Sequence, residues 1–283
     1  MLVFFYFNLT TILVISALAA MLHRLSYSDL GVMHTTLQTL WQETHEGESV
    51  RQRLFHVLRQ SIIQMVLAPG QALSEKEIAD TFSVSRQPVR EAFIRLSEAG
   101  LVEVKPQRGT YVVKISQQAV LEARFVREAV EVAIVRLAAE QGLEPTVLTD
   151  LHDLLARQHR CIEPNDNDRF YRLDEAFHRT LSLGVKQHAA WKVIEEVRAQ
   201  LDRVRYLSVP HSTPLERLVQ QHASIVAAIE ARDIQQAEEA MSLHLREILV
   251  SMPDLVRRFP AMFEGQLAFE EQENSALKQE ATQ

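Results

Sequence analysis

Asp174 and His178 stand four residues apart in Phe170-Tyr171-Arg172-Leu173-Asp174-Glu175-Ala176-Phe177-His178. On a helix that spacing sets one above the other on a single face. His222 lies in Leu218-Val219-Gln220-Gln221-His222-Ala223-Ser224-Ile225, and His244 in Met241-Ser242-Leu243-His244-Leu245. Apolar residues at helical spacing flank both, so each histidine is expected to face inward or to sit at the edge of a core. One carboxylate and three imidazoles suit a borderline divalent metal ion: zinc or nickel, with manganese possible and less comfortable. Burial favours the neutral imidazole that a metal requires. Against this stands the number of histidines: the chain has 11, and any single one is more often a packed or surface residue.

A second group of side chains suits a different chemistry. Arg86, Gln87, Arg90 and Arg95 share the polar side of a predicted helix whose other side carries Val89, Phe93 and Leu96. Arg86 and Arg90, four apart, meet on one face near the helix N-terminus. Arginine there can fork onto guanine or clamp phosphates, although the same pattern also describes an ordinary solvated face. Asp202-Arg203-Val204-Arg205-Tyr206 can turn one arginine inward, although a solvated face is the preferred reading. Cys161 has neither a partner cysteine nor a neighbouring histidine, so it offers no redox or nucleophilic chemistry.

These groups need elements to hold them. Val50–Leu67 carries Leu54, Leu58, Ile62 and Met65 at helical spacing, and Ala68-Pro69-Gly70 ends that helix. Gln71-Ala72-Leu73 is a short extended lead-in to a helix over Glu75–Phe82. Ser83 and Val84 make a turn, Ser85 can cap the next helix, and Pro88 fits its first turn. Gly100 is placed to end that helix in a left-handed conformation. Val102 and Val104 alternate with Glu103 and Lys105 as a strand, Pro106–Gly109 is a turn, and Thr110–Val113 returns. The expectation is a winged helix-turn-helix over 50–113, joined by a short linker to an all-helical bundle over 118–252. Bundle helices are expected at 118–141, 146–162, 166–184, 187–208, 213–231 and 233–251, with a C-terminal helix and tail over 253–283.

The chain of 283 residues has room for two domains, and 47% hydrophobic residues support real cores. Only 8 glycines and 9 prolines favour a mainly α protein. A single cysteine excludes an internal disulfide and fits a cytoplasmic protein. The net charge of −7 is unevenly spread, because residues 51–114 hold 10 Lys and Arg against 6 Asp and Glu. A basic head on an acidic body suits local contact with DNA. Residues 1–22 contain no charged side chain and are long enough to span a bilayer. Two readings of the hydrophobic segment 1–32 stand: a membrane anchor, or an over-extended start with Met33 as the true one. The second is preferred, because the rest of the chain reads as a complete regulator. Residues 33–49 are expected to be a flexible arm.

Residues 73–112 resemble the GntR family of bacterial transcription regulators. The resemblance is carried by Leu73-Ser74-Glu75-Lys76-Glu77-Ile78-Ala79, Val84-Ser85-Arg86-Gln87-Pro88-Val89-Arg90-Glu91-Ala92, Gly100-Leu101-Val102 and Pro106-Gln107-Arg108-Gly109-Thr110-Tyr111-Val112. It implies that Lys76, Ser85, Arg86 and Arg90 contact operator DNA, with Gln87 beside them. It also implies that Arg108 and Gly109 bring the wing tip to the minor groove. Lys76 stands where many members have arginine, and lysine keeps a phosphate contact while losing the planar fork. The helical half is similar to the FCD ligand-sensing domain of the FadR subfamily. Asp174, His178, His222 and His244 match that domain's metal-binding pattern, which implies a divalent metal holding a small carboxylate. Arg127 matches a cavity arginine that can pair with such an effector, against a surface ion pair with Glu131.

The resemblance further implies a homodimer reading an inverted repeat, and a ligand-responsive regulator, a repressor by preference. Within the family the sequence looks most like the RspR type, which implies a sugar acid as effector. The alternative is a metal-dependent enzyme acting on a small organic acid. That reading leaves the winged domain unexplained and finds no separate acid or base at motif spacing.

Overall fold

A computed structural model describes residues 33–44 and 47–265. The uncharged run at 1–22 and the expected tail beyond 265 lie outside the described residues. Among the described residues, no helix is long and apolar enough to cross a membrane.

Residues 33–42 are helical (α1), where a flexible arm was expected. The reason is Leu37, which is completely buried in the core of the winged domain, with Met33, Leu40 and Trp41 packed against the same core. Helix α2 (Val50–Ile63) opens with a reciprocal capping box between Ser49 and Gln52. Strand β1 (Ala72–Leu73) leads to α3 (Glu75–Phe82), capped by the Ser74 hydroxyl, which accepts from the Glu77 amide. Ser83 takes φ 55°, a left-handed conformation that turns the chain sharply into α4 (Arg86–Glu98). Ser85 occupies the N-cap position of α4, but its hydroxyl makes no capping hydrogen bond. At the other end Gly100 has φ 66°, and the Leu101 amide donates 2.9 Å back to the Leu96 carbonyl. Both leucines are buried, which completes the glycine-terminated helix end.

Strands β2 (Val102–Lys105) and β3 (Gly109–Val112) form the wing. The wing was expected to have two strands; β1 adds a third, giving the antiparallel order β1-β3-β2, with Ala72 opposite Tyr111. Gln107 at φ 61° and Gly109 at φ 106° close the wing turn.

The bundle comprises α5 (Gln117–Gln141), α6 (Pro145–His159), α7 (Asn167–Gly184), α8 (His188–Val197), α9 (Ala199–Ser208), α10 (Leu215–Glu230) and α11 (Ile234–Arg258). Helices α5 and α11 lie along each other, α10 packs on α11, and α6 packs on α7. Two boundaries differ from the sequence reading. The expected single helix 187–208 is two, meeting at Arg198. The break sends Ala199 into the core of the winged domain while Leu201, Val204 and Leu207 pack within the bundle. Conversely, α11 runs through Pro253 to Arg258, where two helices were expected. Proline removes one backbone donor, yet Met252, Leu255 and Val256 on either side of it are buried, and that packing holds the helix together. A short 3-10 turn (Pro260–Met262) follows, and Glu264 then donates its amide 2.9 Å to the Ile115 carbonyl in the interdomain linker.

Candidate metal centre and DNA-binding face

Three bundle helices deliver the four metal candidates. Asp174 and His178 come from α7, His222 from α10 and His244 from α11, all buried. One donor atom from each lies within 4.8 Å of all the others. His178 Nε2 is 3.1 Å from His244 Nε2, which is 3.2 Å from His222 Nε2. Asp174 Oδ1 is 3.5 Å from His222 Nε2 and 3.9 Å from His178 Nε2.

The protons on these rings are fixed from behind. His222 Nδ1 lies 2.8 Å from Gln158 Oε1, and the same amide donates through Nε2 to the Leu173 carbonyl, which sets its orientation. His244 Nδ1 lies 3.0 Å from Gln221 Oε1, whose Nε2 donates to Glu247. His178 Nδ1 lies 2.5 Å from Glu131 Oε2. Each Nδ1 therefore carries the proton, and each Nε2 presents a bare lone pair. Burial pushes all three imidazoles below their ordinary pKa, His222 and His244 far below, so no extra proton bridges the rings. Three lone pairs converging on one another and on a carboxylate oxygen repel unless a cation lies among them. The donor set fits a divalent ion on that ground.

Burial alone would raise the Glu131 carboxyl; Arg127 and the His178 contact outweigh it and hold it well below the carboxylate range. Arg127 donates 2.5 Å to Glu131. The alternative to a cavity role for Arg127 was a surface ion pair with Glu131. The pair exists, but it is buried and backs His178. A narrow cavity of ≈ 50 Å³ adjoins the cluster and is lined by Arg127, Tyr171, Asp174, Arg205, His244 and Ser251, among others. Among the described residues, the buried Tyr171 hydroxyl has no hydrogen-bond partner. Arg205 ion-pairs with Asp174 Oδ2, the oxygen turned away from the histidines. Desolvation pulls Arg205 down to about 10, which leaves it charged at neutral pH.

Sequence reasoning missed Glu131, Gln158 and Gln221. A signal was present: Gln158 continues the stripe Leu151, Leu154, and Glu131 sits between Arg127 and Ile134 on the inward face of α5. A polar residue in an apolar stripe marks a buried partner. The inward turn of one arginine from Asp202–Tyr206 was also an underestimate. Asp202 and Arg203 are fully buried and Arg205 reaches the cavity, because α9 is enclosed by α5, α11 and α2.

The second candidate surface is open. Lys76, Ser85, Arg86, Gln87, Arg90, Arg108 and Gly109 are all exposed. Arg90 forks onto Glu75, donating 3.0 Å to each carboxylate oxygen, which ties the start of α3 to α4. Gln87 donates 3.1 Å to Glu91. Tyr111 donates its hydroxyl 2.8 Å to the Arg108 carbonyl and braces the wing tip.

Comparison with known proteins now decides the family. Residues 50–112 match the bacterial regulatory proteins described as the gntR family, and residues 122–247 match the FCD domain. The HTH-type transcriptional repressor RspR of Escherichia coli (strain K12) is 42% identical over 214 residues, covering 76% of this chain and 93% of the relative. This chain belongs to the gntR family. The gluconate operon transcriptional repressor of Bacillus subtilis (strain 168) is a more distant relative. It is 26% identical over 68% of this chain and 79% of its own length. The solved structure titled E. coli McbR/YncC shares the fold with a TM-score of 0.65 at 20% identity, covering 73% of this chain and 98% of its own. The gntR-family member described here is thus a DNA-binding transcriptional regulator with an FCD domain, and not an enzyme. The enzymatic alternative raised by the four candidate ligands is set aside by these relatives.

Proposed function

We propose that this gntR-family regulator is a cytoplasmic repressor whose FCD domain binds a divalent metal ion and a small carboxylate or sugar acid, and whose operator affinity follows that binding. The observation that carries the reading is the convergence of three proton-free Nε2 atoms on Asp174 Oδ1, with Arg127 and Arg205 beside the adjoining cavity. Asp174, His178, His222 and His244 would hold the ion, zinc or nickel by ligand chemistry, with manganese possible. A bound ion supplies a positive centre for a carboxylate. The chain's own residues do the rest: Arg127 and Arg205 bring positive charge to the cavity, and Tyr171 offers an unpaired hydroxyl to an oxygenated ligand. The last point favours a hydroxy acid, in keeping with the name of the gluconate operon repressor.

Operator contact is assigned to Arg86 and Arg90 near the start of α4, with Lys76, Ser85 and Gln87 flanking them and Arg108 and Gly109 at the wing tip. A homodimer on an inverted repeat fits the exposed apolar side chains of α5 and α11, where Phe125, Leu243 and Val250 are 66%, 64% and 70% exposed beside the ion-paired Arg124, Glu128 and Arg246.

The test is metal analysis of the purified chain and of His222→Ala and His244→Ala, followed by thermal-shift titration with sugar acids, with and without a chelator. Metal in the wild type, loss in both variants and an acid-induced shift that chelator removes are expected. Full metal retention in both variants sinks the site.

A further inference from the structure

The ion pairs that begin at the candidate metal site continue beyond it. Asp174 turns Oδ1 to the histidines and Oδ2 to Arg205. A second nitrogen of Arg205 lies 3.4 Å from Asp202 Oδ1. Asp202, fully buried on α9, receives Arg59 of the winged domain at 3.1 Å through Oδ2, and Arg198 at 3.3 Å. Arg59 lies on α2, whose other side is buried in the core that packs the DNA-facing α4. Next to this path Ala199 enters the winged domain's core, and Gln200 donates 2.6 Å to the Gly100 carbonyl at the end of α4. Among the described residues, the path Asp174–Arg205–Asp202–Arg59 joins the four-ligand cluster to the DNA-binding domain through charged groups alone.

We propose that Arg205 and Arg59 form a relay that reports occupancy of the metal site to the winged domain. The proposal rests on the metal reading above. A divalent ion on Asp174 Oδ1 takes up the carboxylate's charge and repels the neighbouring guanidinium. Arg205 then shifts its hold from Asp174 to Asp202, which it already approaches. There it competes with Arg59 for the same carboxylate, and the contact between domains loosens. The two ends are coupled because they draw on shared charges, so each must bias the other. Arg59 is a positioning residue in this scheme: it touches neither metal nor DNA.

The test is hydrogen–deuterium exchange of the full chain with and without zinc, comparing wild type, Arg59→Gln and Arg59→Lys. Arg59→Gln leaves Asp202 paired with Arg198 and Arg205, so no buried charge is stranded. In the wild type, zinc should slow exchange in α7 and α10 and speed it in α2 by about fivefold or more, the lower end of ordinary coupling. In Arg59→Gln the response of α7 and α10 should persist while that of α2 disappears, and Arg59→Lys should restore part of it. No acceleration of α2 in the wild type, or the same acceleration in Arg59→Gln, overturns the relay and leaves the metal site standing. No zinc response in α7 and α10 overturns the metal reading and the relay with it.

Discussion

His222 shows how much of a candidate ligand's behaviour is decided behind it. Its ring stacks on Phe177, with centroids 4.2 Å apart, and its Nδ1 proton is held by Gln158. Replacing Gln158 with leucine keeps the volume and removes the acceptor, freeing the ring to change tautomer. Metal affinity should fall by about 10–100-fold with the fold intact, read by competition against a chromophoric chelator. Arg86 is the matching test on the DNA side. It is exposed at the first position of α4, so Arg86→Ala should leave the thermal melt unchanged. Affinity for a DNA site selected in vitro should fall by about 1–3 kcal/mol, checked by fluorescence anisotropy. The four candidate ligands were legible as residue types and spacings together with the family resemblance. Their partners were not, because glutamines and a glutamate in helical stripes look alike whether they meet water or a ring nitrogen.

Among the elements, α1 carries the clearest departure from the sequence reading. Its polar residues point to a loose arm, yet Leu37 is wholly buried against the winged core, and Trp41 meets Phe82 with ring centroids 4.9 Å apart. If α1 is an integral part of that core, Leu37→Ala should cost about 2–5 kcal/mol, as for other buried leucines, measured by urea unfolding. A change within a few tenths would mean the helix merely rests on the surface. The winged domain's other helices were legible because the apolar stripes, the Ser83-Val84 turn and Gly100 mark them locally. The division at Arg198 and the continuity through Pro253 were not, since each depends on what the helix packs against.

For the whole molecule, the exposed apolar side chains of α5 and α11 are the feature that one chain leaves open. Phe125 lies beside Ala129 and Val132 on α5, and Leu243 and Val250 share a face of α11. If two copies meet there, Phe125→Glu should convert a dimer into a monomer by sedimentation velocity while the melt of the isolated fold changes little. A dimer that survives the charge would place the interface elsewhere.

The sequence by itself determined the two-part order of the chain, the winged helix-turn-helix and the identity of the four candidate ligands. The first two rest on local periodicity and turn chemistry, which act over a few positions, and the four candidates were singled out by residue type and spacing together with the family resemblance. Only the tertiary structure decided that α1 joins the core, that Glu131, Gln158 and Gln221 stand behind the histidines, and that Arg205 and Asp202 connect the cavity to Arg59. Those pairs are separated by up to 143 residues, as for Arg59 and Asp202. Whether such charges are solvated or buried depends on how helices pack, and that packing is written in no single stretch of the chain.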